Sequence, residues 1–203
     1  MSAYPIVLEG TALSVLVVGG GDVATRKVRA LVDAGARVHV VAPVVSDEIA
    51  GLATTSDDLQ ITRAGYATEH VRDVTLVIAA TDDPAVNAMV ANDARQAGRL
   101  VNVVDRPELG DFITPAVHRR GDLVVAVTAG GVPNAAARIR DSIGRTIDGR
   151  YATAVHDLAA LRRALITAGN RGRWAEAAAA LVDEDFCERV ESGAFAAEIA
   201  AWR

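Results

Sequence analysis

Short runs of apolar, often β-branched residues recur along the first half of the chain and predict the strands of one sheet. The runs cover residues 15–18, 38–41, 76–79 and 100–104, with a weaker one at 60–63. Segments with helical periodicity lie between most of the runs, at residues 23–33, 46–52 and 84–97. Continuous apolar strands that alternate with helices are typical of a parallel sheet covered on both faces. Residues 1–113 are therefore predicted to form a doubly wound α/β domain.

The pattern changes at about residue 113. Two strand-like segments, 112–117 and 122–128, follow each other with the turn sequence RRGD between them and no helix, which predicts an antiparallel pair. From about Pro133 onward the periodicity is helical. We therefore expect a small β–helix region at 114–148 and a helical region at 149–203. Because two strands are too few to be stable alone, we expect a homodimer formed through residues 114–148.

Composition and charge exclude several classes of protein. The chain has 203 residues, a net charge of −5 and only 4% aromatic residues, which argues against binding to nucleic acid or to an anionic membrane. No apolar run approaches the ~20 residues that a membrane-spanning helix needs. The single cysteine, Cys187, cannot form a disulfide within the chain, which fits a cytoplasmic protein. The four histidines lack the spacing of a metal site, so no metal site is predicted.

The sequence GGGDVA follows the first predicted strand and opens the first helix. It fits the dinucleotide fingerprint G-x-G-x-x-G/A: Gly19 permits a tight turn, Gly21 lets the backbone approach a pyrophosphate, and Ala24 allows close packing of the helix. The helix N-terminus would offer free N–H groups to the anion. The fingerprint predicts a Rossmann-type domain, with a purely structural turn as the alternative. The loop residues expected at the cofactor are Gly19, Gly20, Gly21, Asp22, Val23 and Ala24.

The end of the second predicted strand bears on which dinucleotide binds. Domains of this type usually place Asp or Glu there for the ribose of NAD, or an arginine nearby for the 2′-phosphate of NADP. Here the strand ends with Ala42 and Pro43, both expected at the cofactor, and no arginine follows closely. Spacing alone leaves NAD and NADP open.

Ligands of doubly wound folds bind outside the carboxyl ends of the strands. Further candidates for cofactor binding or catalysis are expected at that edge, namely Thr81, Asp82, Asn102 and Asp105. Asp105 directly follows an apolar strand and is a candidate general base, with a turn before Pro107 as the alternative. Asp82 or Asp83 could equally cap the helix that begins at Pro84.

Four segments in order resemble the precorrin-2 dehydrogenase / sirohydrochlorin ferrochelatase family, whose members make siroheme alone or as the N-terminal part of siroheme synthase. The segments are VLVVGGGDVATRKV, LVIAATDDPAVN, VNVVDRPELGDFITPA and RGDLVVAVTAGG, and the likeness runs from about residue 5 to 147. The resemblance implies an NAD-binding Rossmann domain, a dimerisation region and a helical C-terminal region. It implies oxidation of precorrin-2 to sirohydrochlorin with NAD as hydride acceptor, and for some members insertion of ferrous iron. Asp105 matches the family's proposed catalytic aspartate, and Ala42–Pro43 matches its second strand, which favours NAD.

The chain departs from the family pattern at three places. Pro133 and Asn134 stand where the family usually has Ser-Pro, which puts the role of that hydroxyl in tetrapyrrole binding in doubt. Thr114 stands where an apolar residue commonly precedes the PA dipeptide, and Thr25 stands where leucine is common.

Precorrin-2 carries many carboxylates, so an acidic protein needs a local basic lining to bind it, and arginine suits bidentate carboxylate contacts. The residues expected to contact this substrate are Arg26, Lys27, Arg106, His118, Arg119, Arg120, Thr128 and Arg138. The alternative is that cations on helices are simply solvated.

Three functions remain open from the sequence. The first is an NAD-dependent precorrin-2 dehydrogenase, and the second is a dehydrogenase that also takes ferrous or cobaltous ion as co-substrate. The third is a non-catalytic module that senses NAD, which would need neither the base at Asp105 nor an arginine-lined pocket.

Overall fold

The computed structural model describes residues 3–203 and divides after Thr114 into two compact units. The first unit contains a five-stranded parallel sheet with the strand order β3-β2-β1-β4-β5. Its strands are β1 Ser14–Val18, β2 Arg37–Val41, β3 Leu59–Thr62, β4 Leu76–Ala79 and β5 Leu100–Val103. The predicted Rossmann-type fold is confirmed, and every predicted strand of this sheet is present within one residue at each end.

Three helices cover the sheet: α1 Asp22–Asp33, α2 Asp47–Thr55 and α3 Pro84–Gln96. Their starts follow from local chemistry. The side chain of Ser46 accepts a hydrogen bond from the Ile49 amide at the start of α2, and the carboxylate of Asp83 does the same for the Ala85 amide at the start of α3. Pro84 occupies the first turn of α3, where a missing N–H costs nothing. Short 3-10 turns lie at Gly10–Ala12, Thr68–Val71 and Pro107–Leu109.

The core of the first unit lies on both faces of β1. Val15 and Val17 belong to the apolar cluster that includes Val28 of α1, while Leu16 belongs to the cluster that includes Val90 of α3. All five side chains are fully inaccessible to solvent. Because burial of a valine or leucine side chain contributes about 1.5–3 kcal/mol, the uninterrupted apolar run of β1 fixes the strand at the centre of the sheet.

The second unit contains an antiparallel hairpin and helices α4 to α8. The hairpin strands are β6 Ala116–Arg120 and β7 Leu123–Val127. The helices are α4 Pro133–Thr146, α5 Gly149–Thr167, α6 Arg171–Leu181, α7 Phe186–Ser192 and α8 Phe195–Ala200. Their core includes Tyr151, Leu161, Leu181, Phe195 and Ile199. Its division into a dimerisation region and a helical region stays a prediction. In residues 3–203 no helix combines the length and the apolar character needed to cross a bilayer.

One predicted strand is misplaced. The sequence suggested a strand at 112–117, whereas β6 begins at Ala116. Residues 112–115 are not in a strand because Phe112 packs on the core of the first unit and its carbonyl accepts a hydrogen bond from Asn102 Nδ2 at 2.8 Å. Arg119 and Arg120, expected in the turn, extend β6 instead. The turn itself is Gly121 and Asp122, with glycine at φ +52°.

Candidate active site

The glycine loop is held by the backbone on both sides. The Gly19 amide donates to Val41 O at 3.0 Å, and the Ser46 amide donates to Gly20 O at 2.9 Å. Gly19 has φ +126°, and a Cβ there would lie 2.2 Å from Ala80 O. A Cβ on Gly20 would lie 2.1 Å from Val44 O. Packing of the loop against neighbouring backbone therefore requires glycine at both positions.

Gly21 differs from the two glycines before it. It precedes α1 with φ −84°, which any residue can adopt, and a Cβ there would meet nothing within 4 Å. The first backbone amides of a helix have no intrahelical acceptor, and within residues 3–203 no side chain caps those of α1. Open space in front of uncapped amides at the positive end of a helix dipole fits a pyrophosphate. The fold therefore does not require glycine at position 21, whereas a dinucleotide bound in front of these amides would require it.

The other loop residues divide into backbone and packing roles. Ala24 is fully buried in the core beside β1, as the fingerprint predicts. Asp22 and Val23 are exposed at the helix start, so a phosphate would meet their amides. The negatively charged carboxylate of Asp22 would repel a phosphate, so the backbone amide is the group of this residue that suits the contact.

The second strand ends in an apolar rim. Ala42 is buried, and Pro43 and Val44 are exposed beside the glycine loop. A groove of about 280 Å³ lies next to them, lined by Asp22, Thr25, Arg26, Arg29, Ser46 and Glu48. In this groove Arg29 forms an ion pair with Glu48.

The carboxyl ends of β4 and β5 are joined by a side chain that the sequence reasoning missed. Asn87 of α3 is fully buried and hydrogen-bonds both Thr81 and Asp105. Its place within the segment TDDPAVN gave no separate signal, because helical periodicity marks it only as an inward-facing position. The helix cap is Asp83 and not Asp82, so Asp82 stays exposed at this edge.

Asp105 lies at the expected edge. Its side chain is 33% exposed, its Oδ1 accepts from Asn87 Nδ2 at 2.9 Å, and its Oδ2 lies 3.6 Å from Arg106 Nε. The Arg106 guanidinium also donates to Pro84 O. Oδ2 of Asp105 is thus in a long ion pair with Arg106 but accepts no hydrogen bond within residues 3–203.

Two other predicted site residues hold the segment after β5 in place by hydrogen bonds. Asn102 is buried within β5, donates to Phe112 O, and leaves its Oδ1 without a hydrogen-bond partner among residues 3–203. Lys27 of α1 donates to the hydroxyl of Thr114, which accounts for a polar residue before the PA dipeptide. Burial, and then the adjacent Arg26, lower the pKa of the Lys27 ammonium group.

The remaining predicted substrate contacts lie in the second unit. His118 Nε2 lies 3.0 Å from Ile147 O, so one ring nitrogen is already hydrogen-bonded there. Four others are exposed, and their side chains form no hydrogen bond or ion pair within the described part of the chain, namely Arg119, Arg120, Thr128 and Arg138. Arg119 and Arg120 point to opposite faces of β6, because successive strand residues alternate.

Three comparisons place the chain among known proteins. An NAD(P)-binding family model matches residues 6–116. The chain is 42% identical over 139 residues to the siroheme synthase of Nitrosomonas europaea, covering 68% of this chain and 29% of that protein. It is 47% identical over 152 residues to the siroheme synthase of Ectopseudomonas mendocina, covering 74% of this chain and 32% of that protein. The chain thus spans about a third of the length of these curated relatives.

A solved structure matches over the full length. The structure titled SirC, precorrin-2 dehydrogenase, is 31% identical, covers 98% of this chain and 100% of its own, and superposes with a TM-score of 0.78. This correspondence includes both compact units, whereas the NAD(P)-binding family model stops near the boundary between them.

Proposed function

The chain belongs to the NAD(P)-binding family that its first unit matches and is a full-length relative of SirC, and on this basis we propose that it oxidises precorrin-2 to sirohydrochlorin. The full-length correspondence with SirC carries the proposal, since the siroheme synthases match over only part of their length. Each turnover removes one hydride, accepted by NAD, and releases one proton.

NAD supplies a nicotinamide ring that accepts the hydride. The residues that would hold it are the glycine loop and the first turn of α1, through the backbone amides that follow Gly21. Ala42 and Pro43 themselves offer no cation for a 2′-phosphate, and in the adjoining groove Arg29 is paired with Glu48, so we propose NAD as the cofactor. Thr81 and Asp82, at the end of β4, border the same edge and are proposed as further contacts.

Asp105 is proposed to accept the proton that leaves the substrate. It follows β5 at the ligand-binding edge, and its Oδ2 is not consumed by a hydrogen bond. Ionised aspartate is an acceptor only, as a base must be. In the first unit, Arg26 and Lys27 of α1 are proposed to bind substrate carboxylates. In the second, the exposed Arg119, Arg120 and Arg138, together with Thr128 and His118, are proposed to bind substrate carboxylates.

The test is an assay of the purified protein with precorrin-2 and NAD, read from the visible absorbance of the tetrapyrrole. Wild-type protein should convert the substrate, and Asp105→Asn should lower the rate by ~10²–10⁴-fold, as loss of a general base does. Asp57→Asn removes an exposed aspartate at the amino-terminal edge of the sheet and should keep wild-type activity. Absence of turnover by the wild-type protein would support the NAD-sensing alternative instead.

Metal insertion is a second candidate activity. The free oxygen of Asp105 could also take pyrrole N–H protons as the metal enters the ring, so one carboxylate would serve both reactions. The test adds ferrous or cobaltous ion, with fresh wild-type or Asp105→Asn protein, to sirohydrochlorin that the wild-type protein has already formed. A metallated product that Asp105→Asn fails to form would support it, and an unchanged sirohydrochlorin spectrum would argue against it.

The hairpin supports a homodimer through residues 114–148. Val117 and Val124 lie on one face of the hairpin and are each 38% exposed, while the other face packs on α4 and α5. This face also carries Ala126 and, opposite Val124, the exposed Arg119. A two-stranded sheet that exposes two valines on its open face gains most from a two-fold copy of itself. Light scattering should give twice the monomer mass, and Val124→Glu should give a monomer.

We propose that the protein acts in the cytoplasm, where its unpaired Cys187 would remain reduced.

A further inference from the structure

Asn87 is a fully buried amide whose hydrogen-bonding capacity is completely used. Its Oδ1 accepts from the Thr81 amide at 3.1 Å and lies 2.8 Å from the Thr81 hydroxyl, whose single hydrogen is shared with Asp83 O at 3.0 Å. Its Nδ2 donates to Thr81 O at 3.0 Å and to Asp105 Oδ1 at 2.9 Å. The side chain therefore connects α3 to the carboxyl ends of two neighbouring strands, β4 and β5.

The orientation of this amide is dictated by its partners. The backbone N–H of Thr81 can only donate, so the group facing it must be the Asn87 oxygen. The NH₂ group is then left for Thr81 O and for the Asp105 carboxylate, both of which are acceptors. A flipped amide would place donor against donor and acceptor against acceptor, so only one orientation satisfies the network.

Asp105 has little else to orient it. It lies between the end of β5 at Val103 and the 3-10 turn Pro107–Leu109, and its side chain is one-third exposed. Its ion-pair partner Arg106 is the next residue in the chain, with Nε 3.6 Å from Oδ2, which is too long for a good hydrogen bond. Among the described residues, the bond from Asn87 is the one hydrogen bond that ties the Asp105 side chain to a distant element.

We propose that Asn87 is a positioning residue, which holds Oδ1 of Asp105 so that Oδ2 faces the substrate proton. The inference rests on the proposed function, because it concerns the base of that reaction. Asn87 would not contact substrate or cofactor and would act only through Asp105. A base must lie within hydrogen-bond reach of the proton, and a displacement of about 1 Å can cost ~10²-fold in rate.

A purely structural role predicts something different. Two of the contacts of Asn87 hold the backbone of Thr81, and their loss alone would loosen the loop before α3 and lower stability. The effect of such a loss would be the same whether or not residue 105 is a carboxylate. The two roles are therefore separated by a double-mutant cycle between Asn87 and Asp105.

The experiment measures kcat, KM for precorrin-2 and the NAD dissociation constant for Asn87→Ala, Asp105→Asn and the double variant. Asn87→Ala should lower kcat by ~10–100-fold with KM and NAD affinity changed less than about threefold. In the Asp105→Asn background the same substitution should change kcat by less than about twofold. Asn92→Ala, an exposed asparagine on the same helix, should match wild type throughout.

Equal kcat losses in both backgrounds, or wild-type kcat in a folded Asn87→Ala protein, would overturn the inference. An inactive wild-type protein would instead overturn the proposed function. If Asn87→Ala does not fold, the side-chain amide resonances of Asn87 in Asp105→Ala decide the matter. They should move from their wild-type positions while those of Asn92 do not, and unmoved Asn87 resonances would show that the bond to Asp105 is absent.

Discussion

The hydroxyl groups of Thr25 and Ser46 lie 2.8 Å apart and join the helix of the glycine loop to the helix after β2. The Thr25 hydroxyl donates to Gly21 O at 3.0 Å, so the shared hydrogen must come from Ser46. The Ser46 oxygen also accepts from the Ile49 amide and caps α2. Thr25, where leucine is common in related sequences, thus couples the glycine loop to the cap of the next helix.

Thr25→Val should destabilise the protein because it keeps the shape but removes both hydrogen bonds. Thr25 is only 6% exposed, so the Ser46 hydroxyl would lose a buried partner. The expected loss in free energy of unfolding is about 1–3 kcal/mol, measured by urea denaturation. Thr54→Val removes an exposed hydroxyl that bonds only to Gly51 O and should cost less than about 0.5 kcal/mol. Equal losses for both variants would mean that the Thr25–Ser46 contact adds nothing.

The glycine loop offers a matched pair of substitutions. Gly21→Ala should lower NAD affinity at least ~10-fold, because its methyl group enters the space left for the pyrophosphate, while costing no more than about 1 kcal/mol of stability. Gly19→Ala should cost about 2–4 kcal/mol, because φ is +126° and its Cβ would lie 2.2 Å from Ala80 O. Calorimetric titration and thermal unfolding measure the two effects. Unchanged NAD affinity in Gly21→Ala would remove the cofactor from this loop.

Gly144 in α4 should tolerate alanine poorly, although alanine normally stabilises a helix. A Cβ there would lie 2.7 Å from His118 Nδ1, and the ring cannot move without losing its hydrogen bond to Ile147 O. Gly144→Ala should therefore destabilise by about 1–2 kcal/mol. Gly172→Ala in α6 meets open space and should stabilise by up to about 1 kcal/mol. The penalty at Gly144 should vanish in a His118→Ala background, and its persistence there would contradict the proposed clash.

The stability of the first unit should fall on acidification in part because of His39. Burial, and then the neighbouring His70, hold the pKa of His39 below its ordinary value. Below about pH 6.5 the unfolded chain therefore binds a proton that the native His39 does not, so the free energy of unfolding decreases as pH falls.

His39→Gln should lessen this decrease between about pH 7 and pH 5.5, measured by urea denaturation at each pH. Gln60→Ala, on the neighbouring strand opposite His39, removes a side chain that does not titrate and should keep the wild-type pH dependence. The same pH dependence in His39→Gln and wild type would show that this histidine is not responsible.

Much of the first unit follows from the sequence alone, because its signals are local. Short apolar or β-branched runs that alternate with helical segments indicate the strands of a parallel sheet, and here they predict the position of each strand within one residue. The glycine fingerprint and Asp105 are also local, since each is defined by its place directly after a strand. The edge of the sheet on which they lie follows from the parallel topology.

The contacts that assemble the site were decided only by the tertiary structure. Asn87 and Asp105 are 18 residues apart, Thr25 and Ser46 are 21 apart, and Lys27 and Thr114 are 87 apart. The periodic pattern of apolar and polar residues does not reveal such pairs, because each pair forms only when two elements that are distant in the sequence pack against each other. The same reason explains why residues 112–115 do not form the strand that their sequence predicts: Phe112 packs on the core, and its carbonyl accepts a hydrogen bond from the buried Asn102.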